Sequence, residues 1–262
     1  MKKRNLLLAS MMLTPLAAFA ADEETANPEE AGAECVCAPV EEEAEEDTGP
    51  WSGSAELGTI FTSGNTETQT INANFAALRT GELWQNTYRL SALKTEDDGE
   101  TTAEKYTAFA QFDRTLTERS YMAIVASQER DRFSGYRYQT SASINYGYRI
   151  IMQDDMSLDA EVGPGFQRDK IDGTDEIVEG AIARAALNFD WTIAEGVQFM
   201  EYFSVEAGED NTIYRSETGL LNQISGRLAS KITYKIKHQD TVPDEETEKT
   251  DTELGITLVY TF

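Results

Sequence analysis

Beyond Trp51 the chain reads as a succession of segments, each of about ten residues, in which apolar and polar positions alternate. Ile71, Ala73, Phe75 and Ala77 alternate with Asn72 and Asn74. Tyr138, Ala142, Ile144, Tyr146 and Tyr148 alternate with Gln139, Ser141, Ser143, Asn145 and Arg149. Ala181, Ala183, Ala185, Leu187, Phe189 and Trp191 alternate with Arg184, Asn188 and Asp190. A period of two places such sets on opposite faces of a strand. Twelve strands are predicted, over Trp51–Thr62, Thr68–Arg79, Leu83–Thr95, Glu104–Thr115, Ser120–Arg130, Tyr136–Ile150, Met156–Gln167, Ile177–Trp191, Val197–Gly208, Tyr214–Asn222, Arg227–His238 and Asp251–Phe262. The ninth has no clear facing, because Phe199, Phe203 and Val205 share a face with Glu201, and a bulge is one way to switch it.

Connections after even-numbered segments are short, as in Thr80–Glu82 and Thr192–Gly196. Those after odd-numbered segments, such as Glu96–Ala103, Arg168–Glu176 and Gln239–Thr250, are longer and more charged. Ser63–Glu67 is the exception, a tight Gly-Asn turn of hairpin type. An even strand count, short turns at one end and longer loops at the other describe an all-β transmembrane antiparallel β-barrel. In the last segment Leu254, Ile256, Leu258, Tyr260 and Phe262 form one apolar face, as suits a closing strand. Ending on Tyr260 and Phe262, it resembles the closing strand of bacterial outer-membrane barrels, and the resemblance implies that these two residues are the signal to the barrel-assembly machinery. A spanning helix needs about 20 mostly apolar residues, and after Ala20 no uncharged run exceeds eleven.

The start of the chain fits export. Lys2, Lys3 and Arg4 precede an apolar stretch, Leu6–Ala17, and Ala18-Phe19-Ala20 is a small-x-small cleavage site, so residues 1–20 read as a signal peptide. Residues 21–50 read as a disordered acidic periplasmic tail: Asp22–Asp47 holds twelve acidic residues, no basic residue and no aromatic, too little apolar surface to offset chain entropy. Residues 51–262 are the barrel. Cys35 and Cys37 lie in the tail, where a bridge would close a very small, strained ring.

A formal net charge of −25, more negative still without the three N-terminal cations, disfavours nucleic acid and other polyanions as partners. The expected surroundings are outer-membrane lipid and lipopolysaccharide. Acidic residues crowd the loop end: Glu96, Asp97, Asp98 and Glu100; Asp169, Asp172, Asp175 and Glu176; Asp244, Glu245, Glu246 and Glu248. None has the spacing of a calcium loop.

The chain contains no nucleophile elbow, zinc-protease motif, phosphate loop or dinucleotide fingerprint, and no cofactor, metal site or catalytic residue is expected. Its one histidine, His238, shares the parity of Ile232, Tyr234 and Ile236 and is placed on the lipid face near the outer rim. With Ser216 on the preceding strand it defines the enzymatic alternative, a lipid hydrolase. Inward parity assigns a basic ladder, Lys231, Thr233, Lys235 and Lys237, to the lumen, with Arg89, Arg149 and Arg184. Glu56, Asp113, Asp159, Glu161, Asp190, Asp251 and Glu253 oppose them. Unpaired charges in a narrow barrel are costly, so cross-strand pairing is expected, notably of Lys231, Lys235 and Lys237 with Asp251 and Glu253.

Four stretches together resemble the salt-induced outer-membrane protein family, a domain of unknown function. They are Glu56-Leu-Gly with Thr62-Ser-Gly-Asn-Thr-Glu-Thr68, Glu129-Arg-Asp-Arg-Phe-Ser-Gly-Tyr136, Tyr146-Gly-Tyr-Arg149, and the Asp251–Phe262 strand. The resemblance covers Trp51–Phe262 and implies a barrel with a salt- or osmotic-stress association; it supplies no catalytic residues. The expected role is non-enzymatic: a structural protein or narrow passive channel of the bacterial outer membrane. The alternatives are a substrate-selective channel, for acidic oligosaccharides for example, and the lipid hydrolase.

Overall fold

A computed structural model describes residues 49–62, 68–243 and 247–262. The proposed signal peptide, nearly all of the acidic tail with Cys35 and Cys37, the Ser63–Glu67 turn and the acidic Asp244–Glu246 lie outside the described residues.

Twelve strands form: β1 (Trp51–Thr62), β2 (Thr68–Thr80), β3 (Trp84–Asp97), β4 (Glu100–Thr115), β5 (Ser120–Asp131), β6 (Tyr136–Met152), β7 (Met156–Ile171), β8 (Ile177–Ala194), β9 (Val197–Gly208), β10 (Thr212–Ser225), β11 (Leu228–Gln239) and β12 (Thr250–Thr261). Each pairs antiparallel with its sequence neighbours, and β12 returns to β1, so the sheet closes on itself. Closure pairs backbone groups that an open sheet edge would leave facing lipid.

Several strands run further than the alternation alone predicts. β3 and β4 extend until only Asp98 and Gly99 separate them, with φ of 49° and 83°. This is an Asp-Gly hairpin turn in which both central residues take positive φ, in place of the longer Glu96–Ala103 loop. β7 continues to Ile171 and carries Asp169 out of the expected loop cluster and into the barrel, where it is buried. The longest described connection is the one expected, between β11 and β12.

The outer face is apolar. Leu57, Ile71, Leu90, Ile124, Ile144, Val162, Leu187, Ile232, Leu254 and Ile256 are all exposed, Val162 at 60% and Leu254 at 64%. Aromatics edge this belt: Trp51, Tyr88 and Phe112 contact one another at the turn end, with Trp191, Tyr260 and Phe262 also exposed there. Tyr106, Phe166 and Tyr214 lie towards the loop end. An apolar band between aromatic girdles is the outer surface of a barrel that spans a bilayer.

β9 needs no bulge within its span. Met200, Tyr202, Ser204 and Glu206 face inward, and Glu201 faces out with Phe203. That outward carboxylate is satisfied by β10, since Ser216 donates to it at 2.8 Å and Thr218 at 2.5 Å.

The closing seam is short. β1 pairs with β2 from Trp51 to Thr62, but with β12 only over Ser54–Leu57 against Leu258–Thr261. Gly53 and Phe262 exchange backbone hydrogen bonds at 2.9 and 3.0 Å at its end. The Phe262 ring stacks at 6.2 Å on Phe75 and lies over Gly53, where a Cβ would meet it at 2.7 Å.

Candidate functional site in the barrel lumen

Alternation sends polar side chains inward on every strand, and the register determines which of them meet. Two sets of contacts bridge the lumen.

The first set lies in the loop-side half. Lys237 on β11 reaches Glu129 on β5, six strands away in either direction and therefore on the opposite wall. The same ammonium donates to Gln139 Oε1 on β6 at 2.7 Å, and Lys105 on β4 stands 3.8 Å from Glu129. Gln139 Nε2 donates to Gln239 Oε1 at 3.0 Å and to Asp169 at 3.2 Å, and Gln167 also donates to Asp169. Beside them Arg215 on β10 binds Glu206 on β9 at 2.6 Å, and Ser141 on β6 donates to the same carboxylate at 2.9 Å.

The second set crosses deeper. Glu161 on β7 accepts from Arg184 at 2.8 Å, from Gln111 on β4 at 2.8 Å and from the Tyr121 hydroxyl on β5 at 3.0 Å. Arg184 passes the network on by donating to the Tyr202 hydroxyl at 3.1 Å. Tyr202 in turn faces Arg89 on β3, again six strands away, with the guanidinium carbon 5.7 Å from its ring centroid and 4.6 Å from that of Phe109. Glu161 and Arg184 are almost completely buried. A buried pair of this kind tolerates burial because further hydrogen bonds satisfy the groups it leaves over.

The expected lysine ladder faces the lumen, and its pairing differs from the neighbour-strand scheme. Only Lys235 pairs with β12, at 3.7 Å from Glu253. Lys231 passes over β12 to Glu56 on β1, at 3.1 Å, with Glu217 on β10 at 4.0 Å. Glu56 is further held by Asn74 at 3.2 Å and Thr257 at 3.3 Å, and Glu253 accepts from Asn72 at 3.4 Å. Lys237 crosses the barrel instead of turning to Asp251. The reason is reach: a lysine on an inward-curving wall meets side chains converging from several strands, whereas the pairing rule for a flat sheet counts only the neighbour.

Asp251 and Asp190 line the remaining cavity. Arg149 sits at the turn-side mouth, with its guanidinium 5.4 Å from the Tyr121 ring centroid and donating to the Glu118 carbonyl at 3.0 Å. Glu129, Glu206 and Arg215 were not anticipated. On β5 Tyr121, Ala123 and Val125 face inward while Met122 and Ile124 face out, so neither face of that strand is polar enough to give Glu129 a direction.

A cavity of about 1030 Å³ remains in the lumen. Its wall includes Ser54, Glu56, Asn74, Ser91 and Thr107 on β1–β4, Asn188, Asp190 and Tyr202 on β8 and β9, and Lys231, Lys235 and Glu253 on β11 and β12.

His238 lies on the outer face as predicted, but it has no serine. Its Nδ1 is 2.7 Å from Thr250 Oγ1, its Nε2 is 3.5 Å from Asp240, and its ring lies 6.0 Å from that of Tyr214. Ser216 gives its hydroxyl hydrogen to Glu201, on the other side of β10 from His238. The two groups are committed to different partners, so this geometry prepares no nucleophile. Among the described residues no group of three or more histidine, cysteine or acidic side chains is placed to hold a metal ion.

A closed antiparallel barrel with an apolar belt outside and a polar, ion-paired interior is an outer-membrane β-barrel of porin-like architecture. This chain belongs to the family described as "Protein of unknown function, DUF481", whose model matches residues 55–262, the family that the four stretches resemble. The "Uncharacterized protein YdiY" of Escherichia coli (strain K12) is 28% identical over 217 residues, covering 80% of this chain and 83% of that relative. Among solved structures, the translocator domain of autotransporter NalP from Neisseria meningitidis aligns with a TM-score of 0.45 at 10% identity, over 81% of this chain and 88% of that one. The KdgM porin aligns with a TM-score of 0.43 at 10% identity, over 80% and 99%.

Proposed function

We propose that the protein is a non-enzymatic barrel, exported by residues 1–20, that serves the outer membrane as a structural element or narrow passive channel. The observation that carries this reading is the double bridging of the lumen, by Lys237 with Glu129 and by Glu161, Arg184, Tyr202 and Arg89. Eight-stranded barrels are filled by side chains and barrels of about sixteen strands hold an aqueous channel. This twelve-stranded lumen is partly filled, and most of its cations are already matched to carboxylates of the same chain. An acidic oligosaccharide would have to displace those carboxylates from the lysine ladder, so the ladder gives it little purchase.

Single-channel recording of the refolded protein tests the reading. Small conductance with weak ion selectivity is expected; large steps comparable to those of an open porin would overturn it. The association with salt stress is the finer part of the proposal. It rests on the resemblance and on the acidity of the loop end, where Asp97, Asp98, Glu100, Asp172, Asp175 and Glu176 repel one another less as salt screens them. Urea unfolding midpoints are expected to rise with sodium chloride, and a flat response would remove this physical link.

A further inference from the structure

Arg89 stands apart from the other inward-facing cations. Lys105, Arg184, Arg215, Lys231, Lys235 and Lys237 each have a carboxylate oxygen within 3.8 Å, and Arg149 donates to a backbone carbonyl. Among the described residues Arg89 has neither an ion pair nor a hydrogen bond. It is held by aromatic faces alone, with Phe109 at 4.6 Å and Tyr202 at 5.7 Å from the guanidinium carbon. Its Nε is buried without an acceptor, and the side chain lines the 1030 Å³ cavity.

A guanidinium stacked on rings keeps its charge and its planar fork of donors while losing the freedom to swing away. Such a fork matches a carboxylate edge-on. Leaving it unmatched in a lumen where other cations are neutralised is costly to the barrel alone, and the cost falls when an anion arrives.

The surroundings narrow the ligand. Ser54, Asn74, Ser91, Thr107 and Asn188 supply uncharged hydrogen-bonding groups to the same cavity. Asp190 also lines it and interacts electrostatically with Arg89 without pairing to it. A cation beside a carboxylate accepts a single negative charge and rejects a second.

We propose that Arg89 is the anion-recognition group of a solute subsite in the lumen, and that the ligand class is a small hydroxylated monocarboxylate. The carboxylate meets the terminal nitrogens of Arg89, and its hydroxyls exchange hydrogen bonds with the hydroxyl and amide side chains of the cavity wall. The inference deepens the channel reading and rests on it for access of a solute to the lumen, but binding itself is measurable whether or not current flows.

The test is calorimetric titration of the refolded full-length mature chain in detergent micelles. Sodium gluconate is the probe at constant ionic strength in sodium chloride, and sorbitol, which lacks the carboxylate, is the control. Folding of every variant is checked by heat-modifiable migration on gels. Gluconate is expected to bind with millimolar affinity and sorbitol to give no heat. Arg89→Gln should weaken gluconate at least about ten-fold, the loss of one charge-assisted contact. Arg89→Lys, which keeps the charge and loses the fork, should weaken it by about three-fold. Asp190→Asn removes the opposing charge and should tighten binding by about three-fold.

Absence of gluconate binding to the unmodified protein, equal binding of sorbitol, or undiminished binding to folded Arg89→Gln would each overturn the proposal. If Arg89→Gln does not fold, Asp190→Asn decides, and unchanged or weaker binding there overturns it. Gluconate binding without measurable conductance would refute the channel reading and leave the subsite standing.

Discussion

The patch of β5–β8 around Ala123, Asn145 and Glu161 and the wall formed by β1–β3 both carry small inward residues, yet the first is packed solid and the second borders the cavity that the rest of β5–β8 also lines. On the first, Ala123, Ser143, Asn145, Glu161 and Ala186 are all buried. The cause is what lies over the small residues. Gly147 leaves room for the Tyr121 ring, which a Cβ there would meet at 2.2 Å. Gly163 and Gly165 flank Pro164, which has no N–H to give to the ladder, and the β6–β7 pairing lapses between Ser143–Gly165 and Tyr146–Val162 without a change of register. The glycines then let β7 approach closely, so that a Cβ on Gly163 would sit 2.0 Å from the Ile144 carbonyl oxygen. On the second wall Ser54, Ala76 and Ser91 are equally small and line the cavity, while the inward Arg89 beside them stacks on Phe109. Small inward residues therefore close this barrel where the Tyr121 ring covers them, and border the cavity on β1–β3, where Arg89 is committed to Phe109.

The difference breaks most sharply at Arg184. Arg184→Met leaves Glu161 buried against Gln111 and Tyr121 with no cation, and loss of one partner of a buried pair costs about 3–5 kcal/mol. A large drop in the urea midpoint is expected, and a negligible one would show that the closed wall does not depend on this pair. Next in size is Gly163→Ala, where crowding against backbone should cost about 1–3 kcal/mol. Gly180→Ala, with open space around the added methyl group, should leave the midpoint unmoved. Equal effects of the two alanines would dissolve the packing argument.

Replacing Lys231, Lys235 and Lys237 by Gln should destabilise the barrel, leave Glu56 and Glu253 without these lysines and Glu129 with Lys105 alone, and shift reversal potentials in a salt gradient towards cations. Strong anion selectivity in the unmodified protein, abolished by the triple change, would replace the bridged lumen with an anion-selective pore. The smallest effect on stability belongs to the open wall. Ser91→Leu should change the unfolding free energy by about 0.5 kcal/mol or less while lowering any conductance, because it fills the cavity. A stability loss matching that of Gly163→Ala would mean the two walls are equally tight.

The alternation of β2, β6, β8 and β12 made the barrel, its strand number and most of its lumen residues legible, because a half-buried strand writes its facing into every second residue. The lysine ladder was legible in the same way, but its partners were not. Parity tells which residues point inward, not how far across a curved wall a lysine reaches, and the Lys237–Glu129 contact joins residues with no sequence relation. β9 was unreadable because Glu201 breaks its apolar face, and only its hydroxyl partners on β10 explain that residue. β5 was unreadable for the opposite reason, being apolar on both faces near Tyr121–Val125. The Arg89 subsite needed the fold, since its aromatic holders come from a neighbouring strand and the opposite wall.

The brevity of the β1–β12 seam bears on the order in which the molecule can form. Every other pairing joins strands consecutive in sequence, so each hairpin closes a short loop, and the entropy of closure is small and recovered at once by the ladder. The seam joins Ser54–Leu57 to Leu258–Thr261, with nearly the whole folded chain as its loop and few rungs to offset the cost. Contacts so remote in sequence form late. Ring closure is then the final event of folding and its reversal the first event of unfolding. Amide hydrogens along Ser54–Leu57 that face β12 should exchange with solvent before those that face β2, giving this barrel a built-in place to start and stop.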